Sequence, residues 1–268
     1  MTVLFSDILT SITPAAEQEF MMPDGWGQGR ALFGGLTAAI AWQVAEHGVS
    51  NEQHLRSMTI SFVGPVQPGP AQLQRRILRQ GKSVTQIAVE IVQQQETVLA
   101  ALFSYGKDRP SAVRITDTPA AKVPAESDEQ TAQRFPQSKL MPEFTQFFDY
   151  QVSVGGLPFS GTDSREFGGK MRFKSETAAI SIGSLLGLVD AWPPALLPLL
   201  QQPSPASSLT WTIEFPEPLP TDCLASDWWL YHAFIDYAAD GYGHTHAHIW
   251  DKHGRLVAIS RQTVTVFG

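Results

Sequence analysis

The sequence predicts an α+β protein made of two similar halves in tandem, each a long helix wrapped by an antiparallel sheet, the two sheets continuous. Three observations carry that expectation. A helical segment followed by a long strand meander occurs twice. The two occurrences align at a nearly constant offset. A looser segment lies between them: residues 111–143 are rich in Pro, Ala, Ser, Asp and Glu and show neither a helical nor a strand period. The expected organisation is a first unit at 1–110, a surface connector at 111–145 and a second unit at 146–268.

In the first half, Phe33-Gly34-Gly35-Leu36 opens a segment that runs to about Gly48. Leu36, Ala39, Ile40 and Val44 recur at three and four residues, which is the helical period. Ala38, Ala39 and Ala41 let a sheet approach closely, and Gly48 suits a C-terminal cap. Residues 58–63 alternate apolar and polar, as a half-buried strand does. Strands at 71–79, 83–93 and 97–105 follow, with a hairpin turn at Gln80-Gly81-Lys82. In the second half, residues 178–189 read as a helix with Ile182, Leu185, Leu186 and Val189 on one face. Strands follow at 209–215, 227–236, 243–250 and 256–266, with the last turn at 251–254.

Laid against each other, Ile60 to Val66 match Ile213 to Leu219, including a Phe-x-x-Pro corner at Phe62 and Phe215, an offset of 153. Val98-Leu99-Ala100 match Leu256-Val257-Ala258 at an offset of 158. One helix and one meander leave an open edge and exposed apolar surface. Two such units paired edge to edge form one continuous sheet.

The chain is 43% hydrophobic and 17% charged, enough apolar material for a core. A net charge of -7 without a Lys/Arg cluster argues against nucleic acid and anionic membrane surfaces. The single cysteine, Cys223, forms no intrachain disulfide, which fits a reducing compartment. No histidine is suggested as its partner. Residues 1–12 lack the basic start of a secretory signal, and no apolar run reaches membrane-spanning length. A cytoplasmic location is expected.

Arg30-Ala31-Leu32-Phe33-Gly34-Gly35-Leu36, then Ser61-Phe62-Val63-Gly64-Pro65-Val66 with Leu78-Arg79-Gln80-Gly81-Lys82-Ser83, then Asp251 to Ala258 with Ser260-Arg261-Gln262, stand in one order. In that order they resemble the motifs of the double-hotdog acyl-CoA thioesterases, the bacterial type II family. The resemblance covers about residues 25–107 and 177–267. It implies two fused hotdog domains, hydrolysis of acyl-CoA, no metal, and no cofactor beyond the CoA of the substrate. It also implies a homodimer or larger homo-oligomer, which exposed sheet edges make reasonable. The catalytic group it implies is an Asp, a Gln and a Ser or Thr holding a water. Carried over, these are Asp190 at the end of the second helix, Gln262 on the last strand, and Ser208 or Thr210. Two residues apart on a strand, Ser208 and Thr210 are expected on one face. The family's Asp-His pair is replaced here by Thr210-Trp211.

Gly34 and Gly35, at the positive end of the first helix, can bring backbone N–H groups to a thioester carbonyl or a phosphate. Arg79 and Lys82 are candidates for CoA phosphates. His244, His246 and His248 share one strand face, a spacing that zinc can use, although an outer polar face explains it too. There is no nucleophile elbow, dinucleotide fingerprint or Walker loop. The alternatives to a thioesterase are a non-catalytic acyl-CoA-binding hotdog protein and a hotdog hydratase; the hydratase needs an Asp/His dyad that the sequence does not suggest.

Overall fold

A computed structural model describes residues 3–119, 121 and 141–267. The helices are α1 (Phe5–Thr10), α2 (Gly34–Glu46) and α3 (Ile182–Asp190). The first half holds β1 (Glu17–Met22), β2 (Gly27–Gln28), β3 (Ala31–Leu32), β4 (His54–Phe62), β5 (Gly69–Gln80), β6 (Val84–Gln93) and β7 (Glu96–Gly106). The second half holds β8 (Phe148–Val154), β9 (Glu166–Phe173), β10 (Ala206–Glu214), β11 (Trp229–Ala239), β12 (Tyr242–Trp250) and β13 (Leu256–Val266). Among the described residues, eleven strands form one sheet in the order β1-β5-β6-β7-β4-β10-β13-β12-β11-β9-β8, and β2 and β3 make a separate small hairpin. This is the tandem hotdog: one sheet passing across both halves, curled around α2 and α3.

Burial explains the composition of α2. Leu36, Ala38, Ala39, Ile40, Ala41, Val44 and Ala45 have no exposed surface. A helix enclosed on all sides carries small apolar residues rather than one apolar stripe. α3 packs antiparallel to it: the start of α3 meets the end of α2, where a Cβ on Gly183 would lie 3.0 Å from Trp42 Cζ3. The end of α3 meets the start of α2, where a Cβ on Gly35 would lie 3.0 Å from Asp190 Cβ.

The seam carries the duplication in its register. β4 pairs with β10 so that Thr59 faces Thr212, and 153 residues separate them, the offset of the Phe62 and Phe215 corners. A residue paired with its own counterpart lies on a local two-fold axis; the two hydroxyls sit 3.3 Å apart. Each seam strand also bulges once against its inner neighbour, between Leu55 and Ser57 and between Ser208 and Thr210. The bulged residues, Arg56 and Leu209, are again 153 apart.

Three expectations change. The sequence pattern predicts none of α1, β1, β2, β3, β8 and β9. The second helix begins at Ile182 rather than 178, because the Ser181 side chain caps it by accepting the Ser184 N–H, while Ala179 bridges to Leu224 as extended chain. Phe144, expected in the connector, is buried in a short 3-10 turn, Glu143–Phe147. Connector residues 122–140 lie outside the described residues. No described helix is long and apolar enough to cross a membrane.

Candidate active site

Asp190 is the last residue of α3, where the helix dipole disfavours a carboxylate. It is also aimed at the first turn of α2, where the dipole favours one. The Gly35 N–H donates to its carboxylate, and the Gln262 amide Nε2 donates to Oδ1 at 3.2 Å. A Cβ on Gly34 would stand 2.7 Å from Asp190 Oδ2 and 3.3 Å from Phe62 Cε1. The two glycines therefore let helix backbone, carboxylate and aromatic ring converge, which no larger residue permits at those distances.

Burial raises the Asp190 pKa from 3.8 to about 7, against the two hydrogen bonds that lower it. The residue as a whole keeps a partly accessible surface; dense packing around the carboxyl, not complete enclosure, is what disfavours its charge. Gly34, Phe62 and Gln262, which border Asp190, are partly accessible as well, as is Ser208. Tyr150 and Tyr231 lie close enough to feel the Asp190 charge. Their phenols are pushed up by burial first and by the Asp190 charge second, so both stay neutral. Tyr150 donates to the Ala191 carbonyl at 3.1 Å, one of the orphan acceptors at the end of α3. Trp192 stacks on Tyr231.

The structure brings together Asp190, Gln262, Gly34 and Gly35, and it separates Ser208 from Thr210. The bulge at Leu209 breaks the two-residue rule. Ser208 pairs with Val264, which is buried on the inward face. Thr210 pairs with Thr263, on the outer face where Thr263 bonds His244. Gln262 lies on the inward face opposite the buried Trp211, whose Nε1 donates to Ser260. Ser208 is thus the hydroxyl on the Gln262 side of the sheet.

Arg79 and Lys82 are not brought to this site. They are exposed at the β5–β6 hairpin, lining a groove of about 390 Å³ with Ser83, Val84 and Gln86. Five strand steps separate β5 from β13, about 24 Å at the usual strand spacing. His244, His246 and His248 project from the outer face, with His246 bonded to Asp236 at 2.8 Å and His244 to Thr263 at 3.3 Å. Burial lowers the His248 pKa. Among the described residues, ligand atoms cluster only at Asp222, Cys223 and His253, within 4.8 Å of one another. The structure thus does give Cys223 a histidine neighbour. The Arg255 guanidinium, however, already binds Asp222 at 2.6 Å and approaches the sulfur at 3.7 Å. Burial and the neighbouring carboxylates push the thiol up, so it is a poor nucleophile and metal ligand.

The internal two-fold allows a direct comparison with the other half. Thr212 pairs with Arg261 and Thr59 with Leu102, so β13 and β7 correspond at an offset of 159. Gln262 then corresponds to Phe103, and Ser208 to Leu55. Asp190 corresponds to Trp42, since Gly183 and Gly35 share their offset of 148. All three counterparts are buried and without carboxylate or amide. The site is single in a duplicated fold.

Family models match both halves. An acyl-CoA thioesterase N-terminal domain matches residues 22–106 and an acyl-CoA thioesterase C-terminal domain matches residues 119–266. No curated protein matches the chain. Among solved structures, a conserved hotdog protein of unknown function from Alicyclobacillus acidocaldarius superposes with a TM-score of 0.84 at 18% identity, covering 100% of this chain and 99% of that one. A candidate thioesterase II from Thermobifida fusca gives 0.79 at 21% identity, covering 95% and 93%. An acyl-CoA thioesterase II from Mycobacterium marinum gives 0.70 at 18% identity, covering 94% and 93%. Those likenesses establish the shared fold; the two domain matches, which together span most of the sequence, place the chain in the hotdog acyl-CoA thioesterase family.

Proposed function

We propose that the protein hydrolyses acyl-CoA thioesters with a water held by Asp190, Gln262 and Ser208. The observation that carries this reading is a carboxylate with a pKa of about 7, bonded to Gln262 and aimed at a helix N-terminus. Near neutral pH such a group exists in both forms and can accept and return a proton. Asp190 takes a proton from the water as its oxygen bonds to the thioester carbonyl carbon. The carbonyl π pair moves onto oxygen. Of the first N–H groups of α2, Gly35 is used by Asp190, and Leu36 and Thr37 bond the Phe33 carbonyl. Among the described residues, the Gly34 N–H bonds none, and it supports the oxyanion at the positive helix end. The C–S bond then breaks, the carbonyl re-forms, and the thiolate takes the proton from Asp190. Free acid and CoA are released, with no covalent enzyme intermediate.

The test is thiol release from a panel of short, long, branched and aromatic acyl-CoAs. Turnover of at least one class is expected. Tight binding with no turnover on the whole panel would instead support an acyl-CoA-binding protein, with Trp211 in the place of the family's His as the point of departure. The hydroxyl assignment has its own check. Ser208→Ala is expected to lower kcat about tenfold or more, while Thr210→Ala, on the outer face, leaves it unchanged. Equal losses in both variants would contradict the assignment.

A further inference from the structure

The geometry points to Phe144 as the residue that sets acyl-chain length, an inference that rests on the thioester site proposed above. Asp190 has two sides. Gly34, Phe62, Ser208 and Gln262 on one side are partly accessible, and the CoA group is placed at that mouth. On the other side the Phe33 ring folds back over Gly35. A Cβ on Gly35 would lie 2.5 Å from Phe33 Cζ and 3.0 Å from Asp190 Cβ, so the ring and the Asp190 side chain both lie against Gly35. Phe144 stacks flat on Phe33, with centroids 4.1 Å apart and planes at 8°. It meets Phe148 edge-on at 6.3 Å. With the thioester carbon at Asp190 and the sulfur toward the mouth, the acyl chain runs against this aromatic pair.

Phe33 belongs to the chain just before α2 and is fixed by it. Phe144 comes from the Glu143–Phe147 turn, which leads directly into β8. That turn is held on the Gly25–Gly27 loop and on Lys174, whose N–H donates to the Phe147 carbonyl and whose Nζ donates to the Gln146 carbonyl, each at 2.9 Å. Glu143 Oε2 accepts the Gly27 N–H at 3.1 Å, Gln146 Nε2 donates to the Gly25 carbonyl at 3.4 Å, and Phe147 stacks on Trp26 at 3.9 Å. The floor of the acyl site is therefore a side chain carried on a turn outside the helices, and shortening it lengthens the site while Asp190, Gln262 and α2 keep their own residues. Wild-type protein favours short acyl groups.

The experiment compares wild type, Phe144→Ala and Phe144→Leu against S-alkyl-CoA thioethers from ethyl to hexadecyl, which bind but cannot be hydrolysed, and against the matching acyl-CoAs. Wild-type affinity is expected to stop rising at short chains. In Phe144→Ala the break moves to longer chains, and burial of two further methylenes favours the longer thioether by roughly tenfold. Phe144→Leu, which keeps much of the volume and protects folding, falls between. Superimposable chain-length profiles for cooperatively melting variants would overturn the inference, as would wild-type affinity that climbs without a break to hexadecyl. Hydrolysis with unshifted profiles sinks the role of Phe144 and leaves the thioesterase reading standing. Shifted thioether profiles without hydrolysis do the reverse. Failure of wild type to bind any thioether defeats both.

Discussion

Asp190→Asn is expected to lower kcat by roughly 10²–10⁴, measured as thiol release on the best substrate of the panel. The amide keeps the shape of the carboxylate and one acceptor for Gln262, but it takes no proton from water. In wild type the active form of Asp190 is the carboxylate, and its pKa is raised from 3.8 to about 7. Activity should therefore rise with pH through about 7 and fall about tenfold per unit below it. The same shift has a stability consequence of opposite sign. Between about pH 4 and 7 the folded protein holds a proton that the unfolded chain has released, so stability falls as pH rises across that window. Each unit is about 1.36 kcal/mol, and the partial accessibility of Asp190 reduces the total to about 1–3 kcal/mol. Asp190→Asn cannot ionise. It should melt above wild type at pH 8 and together with wild type near pH 4. A variant less stable than wild type at pH 8 would mean that the carboxylate is a structural anchor rather than a strained base.

The fold was legible because duplication is a long-range signal. One offset of 153, read from two Phe-x-x-Pro corners, is the offset at which Thr59 meets Thr212 across the seam. Asp190 and Gln262 were legible through family resemblance, and their 3.2 Å contact joins residues 72 apart in the chain. What escaped has local physical causes. β9 contains Gly168-Gly169, which reads as a break. In the sheet those glycines are where neighbouring backbones come closest: a Cβ would lie 2.2 Å from the Tyr231 carbonyl oxygen at Gly168 and 1.8 Å from that of Gln151 at Gly169. β8 escaped along with its partner, and Tyr150 went with it. The bulge at Leu209 leaves no mark in the composition of Ser207-Ser208-Leu209-Thr210, yet it decides which hydroxyl faces inward. Positive charge beside a turn, which is what Arg79 and Lys82 offer in the sequence, carries no information about which end of the sheet the turn occupies.

Gly34→Ala separates the site from the fold most sharply. In an ordinary helix the exchange gains up to about 1 kcal/mol, because alanine is the better helix former. Here the new methyl would stand 2.7 Å from Asp190 Oδ2 and 3.3 Å from Phe62 Cε1. Phe62 is partly accessible and has room to swing aside. The carboxylate is held by Gly35 and Gln262, so it must give up part of that geometry. The methyl also covers the N–H assigned to the oxyanion. The expected result is a melting temperature at or above that of wild type with kcat lower by roughly 10² or more, the scale of losing one oxyanion donor. Gly35→Ala makes the contrast. Its methyl would lie 2.5 Å from Phe33 Cζ, in fully buried surroundings, and overpacking of this kind costs about 1–3 kcal/mol, so activity and stability should fall together. If Gly34→Ala keeps full activity, the N-terminus of α2 does not serve the reaction, and the carboxylate would have to act from its Gln262 side alone.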